Sequence, residues 1–128
     1  MVRRAGLLGA LLLAITAAAL SASGTAAAGQ RARAPTLAAT VGPGYTISLT
    51  RDGKLVRSLK AGAYTLVVSD RAPVHAFSLD GPHGYARDFT SVPFVGTKTF
   101  TVKLVAGKYK YYCPPHEPTM FGRFTVTG

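Results

Sequence analysis

The chain has 128 residues, of which 48% are hydrophobic and 16% are charged, with a formal net charge of +10 and a single cysteine. Its length fits an N-terminal leader and one domain with one core, so a second domain is excluded. The basic residues are dispersed and lack a cluster with base-stacking aromatics, which argues against a nucleic-acid-binding protein. The single cysteine excludes an intramolecular disulfide framework.

Residues 1–28 are predicted to be an export signal. Two arginines form a positive n-region, residues 5–20 are almost wholly apolar, and cleavage is expected after Ala28 or after Ser23. The alternative is a membrane anchor, but the apolar stretch is shorter than the ~20 residues of a spanning helix. We therefore expect a periplasmic, extracellular or cell-surface protein with no membrane span after cleavage. Loss of the two arginines leaves 13 basic and five acidic side chains, a formal charge of +8.

The rest of the chain is predicted to be a short lead-in followed by an all-β domain. Residues 29–40 read as a flexible lead-in and residues 41–128 as the domain. Apolar and polar residues alternate from Tyr45 to Thr50, which is typical of a half-buried strand. Further strands are predicted at 54–59, 64–68, 100–104, 109–113 and 122–127 and around His75, with a long loop at 81–93. About seven to eight short strands at this spacing predict a β-sandwich.

The only cysteine, Cys113, lies where the second-to-last predicted strand ends. A lone thiol in an exported protein can be a buried small hydrophobe, an intermolecular link or a metal ligand. His116 lies three residues further on, which favours the metal ligand. Because Pro114 and Pro115 cannot donate ladder hydrogen bonds, the strand is expected to stop at Cys113 and His116 to lie on a loop.

Two further residues complete a donor set of one thiolate, two imidazoles and one thioether. Met120 follows on the same loop, and His75 supplies the second imidazole. This combination is the one found in mononuclear blue-copper sites, where a methionine is the weak axial ligand. Zinc fits less well, since a thioether is neither a strong fourth donor nor an open position for water. His83 is the competing imidazole, but its Gly/Pro-rich surroundings predict an exposed turn.

His75 is predicted to point towards the core. It shares the parity of Phe77 and Leu79 along an apparent strand, and alternate side chains of a strand lie on the same face. Cys113 likewise shares parity with Tyr109 and Tyr111. The two ligands are therefore expected at the same end of one core.

These residues resemble those of small cupredoxins of the plastocyanin, pseudoazurin and amicyanin kind. The most specific likeness is the Cys-x2-His-x3-Met loop, which is followed by Gly122 and a strand at 123–126. A less specific likeness is the segment 69–77, which contains the first histidine. The resemblance covers most of residues 37–128 and implies a Greek-key β-sandwich. Many members of the family carry an Asn directly after that histidine, where its side chain pins the ligand loop, whereas this chain has Ala76.

The resemblance implies one type 1 copper ion per chain, bound by His75, Cys113, His116 and Met120. It further implies a one-electron carrier between redox proteins, with His116 as the partly exposed ligand and with the loop prolines and Phe121 as an apolar docking collar. We expect a monomer whose positive charge favours an acidic partner or an anionic cell surface.

Two other functional classes are alternatives to the carrier. The first is a copper-binding or copper-delivery protein without an electron-transfer role. The second is an enzyme, which we do not expect and for which no catalytic residue is predicted. A Cys–His hydrolase needs an orienting Asn or Asp and an oxyanion hole. Multicopper oxidases need more histidines than the three in this chain.

Overall fold

Residues 32–128 are described by the computed structural model and form two five-stranded β-sheets that enclose one core. In chain order the strands are β1 (Thr36–Val41), β2 (Ile47–Arg51), β3 (Lys54–Leu55), β4 (Ser58–Lys60), β5 (Gly62–Asp70), β6 (Ser78–Asp80), β7 (Ala86–Asp88), β8 (Gly96–Leu104), β9 (Gly107–Tyr112) and β10 (Phe121–Thr127). Two single 3₁₀ turns, Pro82–Gly84 and Pro114–His116, are the helical elements of this part of the chain. The predicted all-β sandwich is confirmed.

The chain passes repeatedly between the two sheets. The first sheet has the strand order β3-β2-β1-β5-β8, and the second has the order β4-β10-β9-β6-β7. Two neighbouring pairs, β1 with β5 and β4 with β10, are parallel, and the other pairs are antiparallel. Parallel neighbours require a crossover connection, and here each crossover passes through the opposite sheet. The two sheets are therefore joined by the chain as well as by their shared core.

The strand count is ten because several strands are only two or three residues long. The return strand predicted at 54–59 is divided into β3 and β4, which belong to different sheets. The chain changes sheets at Val56, which is buried between them. Short β7 lies within the segment predicted to be a long loop. Periodicity alone does not resolve strands of this length.

The core consists of the inward-facing residues of both sheets. Tyr64, Leu66 and Val68 of β5 are buried as predicted, as are Val102 and Leu104 of β8. From the second sheet, stacked aromatic rings fill the opposite half. Tyr109 and Phe124 stack with ring centroids 5.1 Å apart, and Phe77 and Tyr111 stack at 6.0 Å. Offset stacking of this kind stabilises a core beyond the area that it buries.

The predicted lead-in at 29–40 is wrong for its last five residues, which belong to β1. Leu37, Ala39 and Val41 alternate inward and are almost fully buried. β1 lies at the centre of the first sheet between β2 and β5. The pairing with β5 is parallel and connects residues far apart in the chain, so no local pattern reveals it.

The predicted export signal, residues 1–28, lies outside the residues that the structure describes. Within residues 32–128 the structure has no helix that is both long enough and apolar enough to cross a membrane.

Gly122 of β10 allows the final strand to pass directly over an aromatic ring. A Cβ atom built at this position would lie 2.7 Å from Cε2 of Tyr111 and closer still to its Cζ and hydroxyl oxygen. Tyr111 is itself buried and packed against Phe77, so the ring has little freedom to move away. The close approach requires a residue without a side chain at 122.

We predict that Gly122→Ala lowers the free energy of unfolding by about 2 kcal/mol, because overpacking a filled site forces side chains and backbone apart. Thr125→Ala on the exposed side of the same strand is the control, with an expected change below about 1 kcal/mol. Chemical denaturation followed by far-UV circular dichroism measures both values. Equal stability of the Gly122→Ala variant and the wild type would contradict the packing described here.

Candidate metal centre

Two loops at one end of the sandwich carry the four predicted ligands. Cys113 directly follows β9, His116 ends the second 3₁₀ turn, and Met120 directly precedes β10. His75 lies in the loop between β5 and β6, so the prediction that it belongs to a strand is wrong. Its predicted inward direction is nevertheless confirmed, since the residue is only 2% exposed. Alternation is not the reason for this direction, since the neighbouring Ala76 is buried as well.

The loop of residues 113–120 is closed by its own backbone. The Cys113 N–H donates to the Met120 carbonyl at 3.0 Å, which continues the pairing of β9 with β10 by one step. The His116 carbonyl accepts from the N–H groups of Thr119 and Met120 at 3.0 and 2.8 Å. The His116 N–H donates to the Cys113 carbonyl at 3.0 Å. These bonds fix both ends of the loop and the peptide of His116 between them.

The structure brings three donor atoms together. The Nδ1 atoms of His75 and His116 lie 3.1 Å apart, and each lies 3.7 Å from the Cys113 Sγ. A point in the plane of these three atoms is about 2.0 Å from each, close to the 2.0–2.3 Å of metal–nitrogen and metal–sulfur bonds at zinc sites. Within residues 32–128, these three residues are the group of His, Cys and acidic side chains whose donor atoms lie close enough together to bind one metal ion.

A hydrogen bond to the backbone sets the orientation of the His75 ring. Its Nε2 lies 2.7 Å from the Gly44 carbonyl oxygen, which can only accept. Nε2 therefore carries the proton, and the lone pair of Nδ1 is directed at the other two donors. Metal-binding histidines commonly donate their second N–H to a carbonyl or carboxylate in this way.

The sulfur of Cys113 is fully buried and accepts a backbone hydrogen bond. The residue is 0% exposed, and the Ala76 N–H points at its Sγ from 3.4 Å. A donor directed at sulfur stabilises negative charge on that atom, as a thiolate ligand requires. Met120 is also 0% exposed, at the end of the same loop.

Solved structures show a similar architecture. A structure of the copper protein rusticyanin aligns over 72% of this chain and 76% of its own chain, with 20% identity and a TM-score of 0.53. A structure of reduced rusticyanin aligns over 72% of this chain and 78% of its own, with 21% identity and the same TM-score. The chain has the cupredoxin fold. No protein-family model matches the chain, and no curated protein matches it in sequence.

In this cupredoxin fold, a loop that was predicted to be part of a strand covers the candidate centre. Tyr45 was expected on the buried face of a strand, but it precedes β2 and is 70% exposed. Its ring makes edge contacts with the imidazoles of His75 and His116, with centroids 5.7 and 5.0 Å apart. The Gly-Pro-Gly sequence at 42–44 signals a turn. The turn signal does not indicate which residues the turn contacts in the folded protein.

A buried polar network that sequence reasoning missed supports the loop of His75. The Thr90 hydroxyl donates to Asp70 Oδ2 at 2.8 Å and accepts from the Phe77 N–H at 2.9 Å. Asp70 and Thr90 are only 2% and 3% exposed. The Ala72 N–H also points at Asp70 Oδ1, at 3.4 Å. The network fixes both ends of the loop between β5 and β6, because Asp70 ends β5 and Phe77 directly precedes β6.

This network holds the loop of His75, in which Ala76 stands where many cupredoxins have an asparagine. The Ala76 N–H, which is directed at the Cys113 sulfur, belongs to the residue next to Phe77. Fixing the Phe77 peptide through Thr90 therefore limits the movement of Ala76. The sequence gives no signal for this role of Thr90, because a threonine fifteen residues after the first histidine matches no motif.

The remaining candidates lie outside the donor group. His83 is exposed on the first 3₁₀ turn, as predicted. Asp80 and Glu117 both have partners on the second sheet. Glu117 accepts from Lys110 Nζ at 2.7 Å, and Asp80 accepts from the Tyr112 hydroxyl at 3.2 Å. Burial, followed by the negative charge of Asp80, raises the pKa of Tyr112 to about 12, so the phenol keeps its proton.

We predict that Thr90→Val destabilises the metal-free protein by roughly 3 kcal/mol, because it leaves a buried carboxyl oxygen and the Phe77 N–H without their shared partner. Urea denaturation measures the change. The control is Thr101→Val, the same substitution at a solvent-exposed position of β8. It is expected to change the free energy of unfolding by less than about 0.5 kcal/mol. Similar losses in the two variants would mean that the network contributes little.

Proposed function

We propose that this protein is an exported type 1 copper protein that carries single electrons between redox partners and is not an enzyme. The observation that supports this most strongly is the convergence of two imidazole Nδ1 atoms and one sulfur on a common point. Two unprotonated ring nitrogens at 3.1 Å repel each other unless a proton or a metal ion lies between them.

The donor set fits copper. A thiolate with two imidazoles, together with a thioether as a weak axial ligand, is the ligand combination of blue-copper electron-transfer sites. We propose His75, Cys113, His116 and Met120 as the four ligands, with one ion per chain. Copper bound there would supply reversible one-electron redox chemistry.

The residues around the site keep its shape independent of the metal. The donors of His75 and Cys113 are oriented by backbone groups, the Gly44 carbonyl and the Ala76 N–H. The loop of residues 113–120 is closed by backbone hydrogen bonds that do not involve the donor atoms. A site fixed in this manner changes little when its charge changes, which lowers the barrier to electron transfer.

Burial favours a carrier over the copper-delivery alternative. His75 and Cys113 are 2% and 0% exposed, so ligand exchange with a receiving protein would have to disrupt the core. His116 is only half-buried, on the loop that faces outward, and is the ligand through which we propose that electrons leave. The proposed export rests on the leader-like composition of residues 1–28.

We predict that the purified protein with Cu(II) shows an intense visible sulfur-to-copper charge-transfer band at one copper per chain, because Cys113 is the strongest covalent donor of the set. Cys113→Ser should abolish the band. A wild-type protein that binds Cu(II) yet remains as pale as a complex with nitrogen and oxygen donors would refute the proposal.

The two candidate histidines provide the matched control for that spectrum. His75→Ala removes a donor of the converging group and should eliminate the band, whereas His83→Ala on the exposed turn should leave it nearly unchanged. The opposite result would locate the site on the segment that contains His83.

We predict that Met120→Leu retains copper but raises the reduction potential. The substitution conserves volume at a fully buried position and removes a soft donor, which leaves Cu(II) less well stabilised than Cu(I). Phe121→Leu, the next residue and 41% exposed, is the control and should shift the potential much less. Protein-film voltammetry compares the three proteins. Equal potentials for the wild type and Met120→Leu would show that Met120 only fills the core.

A further inference from the structure

The outer face of the second sheet carries basic side chains on neighbouring strands. Lys108 and Lys110 of β9 point outward, since the intervening Tyr109 is buried. Arg123 of β10 is also exposed and lies opposite Lys110, with Lys108 opposite Thr125. Lys108 and Arg123 are therefore diagonal neighbours on one face, within reach of the same ligand.

Lys108, Arg123 and Arg57, whose carbonyl accepts from the Thr125 N–H of β10, are not neutralised by nearby acids. Lys110 forms an ion pair with Glu117 at 2.7 Å. Within residues 32–128, Arg57, Lys108 and Arg123 form no ion pair. All three line one shallow depression of about 290 Å³, together with Tyr109, Phe124 and Thr125, and no acidic residue lines it. We call Arg57, Lys108 and Arg123 the cationic face.

The outer face of the first sheet has the opposite character. Its outward positions on β1, β2, β5 and β8 are mostly small and uncharged: Thr36, Ala38, Thr40, Ser48, Thr50, Ala63, Thr65, Val67, Ser69, Thr97, Thr99 and Thr101. Lys103 is the charged residue among the outward positions of these four strands. The second sheet also carries acids, Asp80 on β6 and Asp88 on β7, so its contrast with the first sheet is confined to β9 and β10, which carry Lys108 and Arg123.

The cationic face leads along β10 to the metal centre. Arg123 is three residues beyond Met120, a distance of roughly 10 Å at the rise of an extended strand. Between them lies Phe121, 41% exposed, with Lys110 and Arg123 at 5.1 and 5.0 Å from its ring centroid. A macromolecule bound at the cationic face would therefore extend to the edge of the site.

We propose that the cationic face is the docking surface for an acidic redox protein. This inference rests on the proposed function, and it assigns the partner contact to the second sheet in addition to the loop around His116. Complementary charge steers such encounters and raises the association rate. A protein partner is favoured over a lipid surface because the three cations line a concave depression, which accepts a protruding carboxylate side chain better than a flat layer of headgroups does.

The test uses cytochrome c with its lysines succinylated, which is a strongly acidic one-electron donor. One electron passes from the ferrous haem to the oxidised copper protein, so the haem is oxidised and the copper protein is reduced. Two variants of equal charge change are compared: Lys108→Glu/Arg123→Glu on the cationic face, and Arg33→Glu/Lys103→Glu away from it. Circular dichroism and copper content establish that both variants are folded and loaded. Titration gives the Kd and stopped-flow absorbance gives the bimolecular rate.

At low ionic strength we expect the cationic-face variant to weaken the Kd and slow the rate at least about tenfold, and the control variant to change both by about twofold or less. Equal effects of the two variants, or no effect of either, would overturn the inference. So would unchanged cytochrome binding together with lost binding to phosphatidylglycerol vesicles, which would identify a lipid surface.

The proposed function is tested separately with hexacyanoferrate, a small reagent that needs no docking surface. If the wild-type protein fails to exchange electrons with it, the carrier function is refuted. The Kd values for the succinylated cytochrome still decide whether the cationic face binds an acidic protein.

Discussion

The architecture depends on one constraint: two imidazole nitrogens and a buried sulfur must be held 3.1 to 3.7 Å from one another with their lone pairs directed at the same point. Such an arrangement is unfavourable for the bare side chains, so the surrounding structure has to impose it. Two loops at one end of a sandwich achieve this, and each is fixed by bonds that do not involve the donors. The site is therefore prepared by the fold, and a metal ion would satisfy it.

The two loops are held by different physical means. The loop of residues 113–120 extends the β9–β10 ladder and is closed by backbone hydrogen bonds alone, which is why two prolines are compatible with it. The loop of His75 instead relies on side chains, the buried Asp70 and Thr90, which hold the Phe77 peptide. A hydroxyl that both donates and accepts is suited to that position, because it satisfies two buried polar groups at once.

Sequence reasoning succeeded where the signal was local. The donor types, their spacing around His116 and the end of the strand at Cys113 followed from residues close together in the chain and from the chemistry of proline. The alternation of apolar and polar residues correctly predicted strands β5 and β8 and the inward direction of Cys113. It failed at β1, at the split between β3 and β4, and at Tyr45, since each of these depends on which distant segment is the neighbour.

The sequence by itself determined the β class, the residue types able to bind a metal and the excess of positive charge, because composition, period and spacing are properties of the chain. The tertiary structure alone decided how closely the donor atoms of His75, Cys113 and His116 converge, that Tyr45 and Gly44 contact the first histidine, and that Thr90 supports its loop. It also decided that Arg57, Lys108 and Arg123 line one depression that no acidic residue lines. These features arise from contacts between residues far apart in sequence, whose register is set by the packing of two sheets.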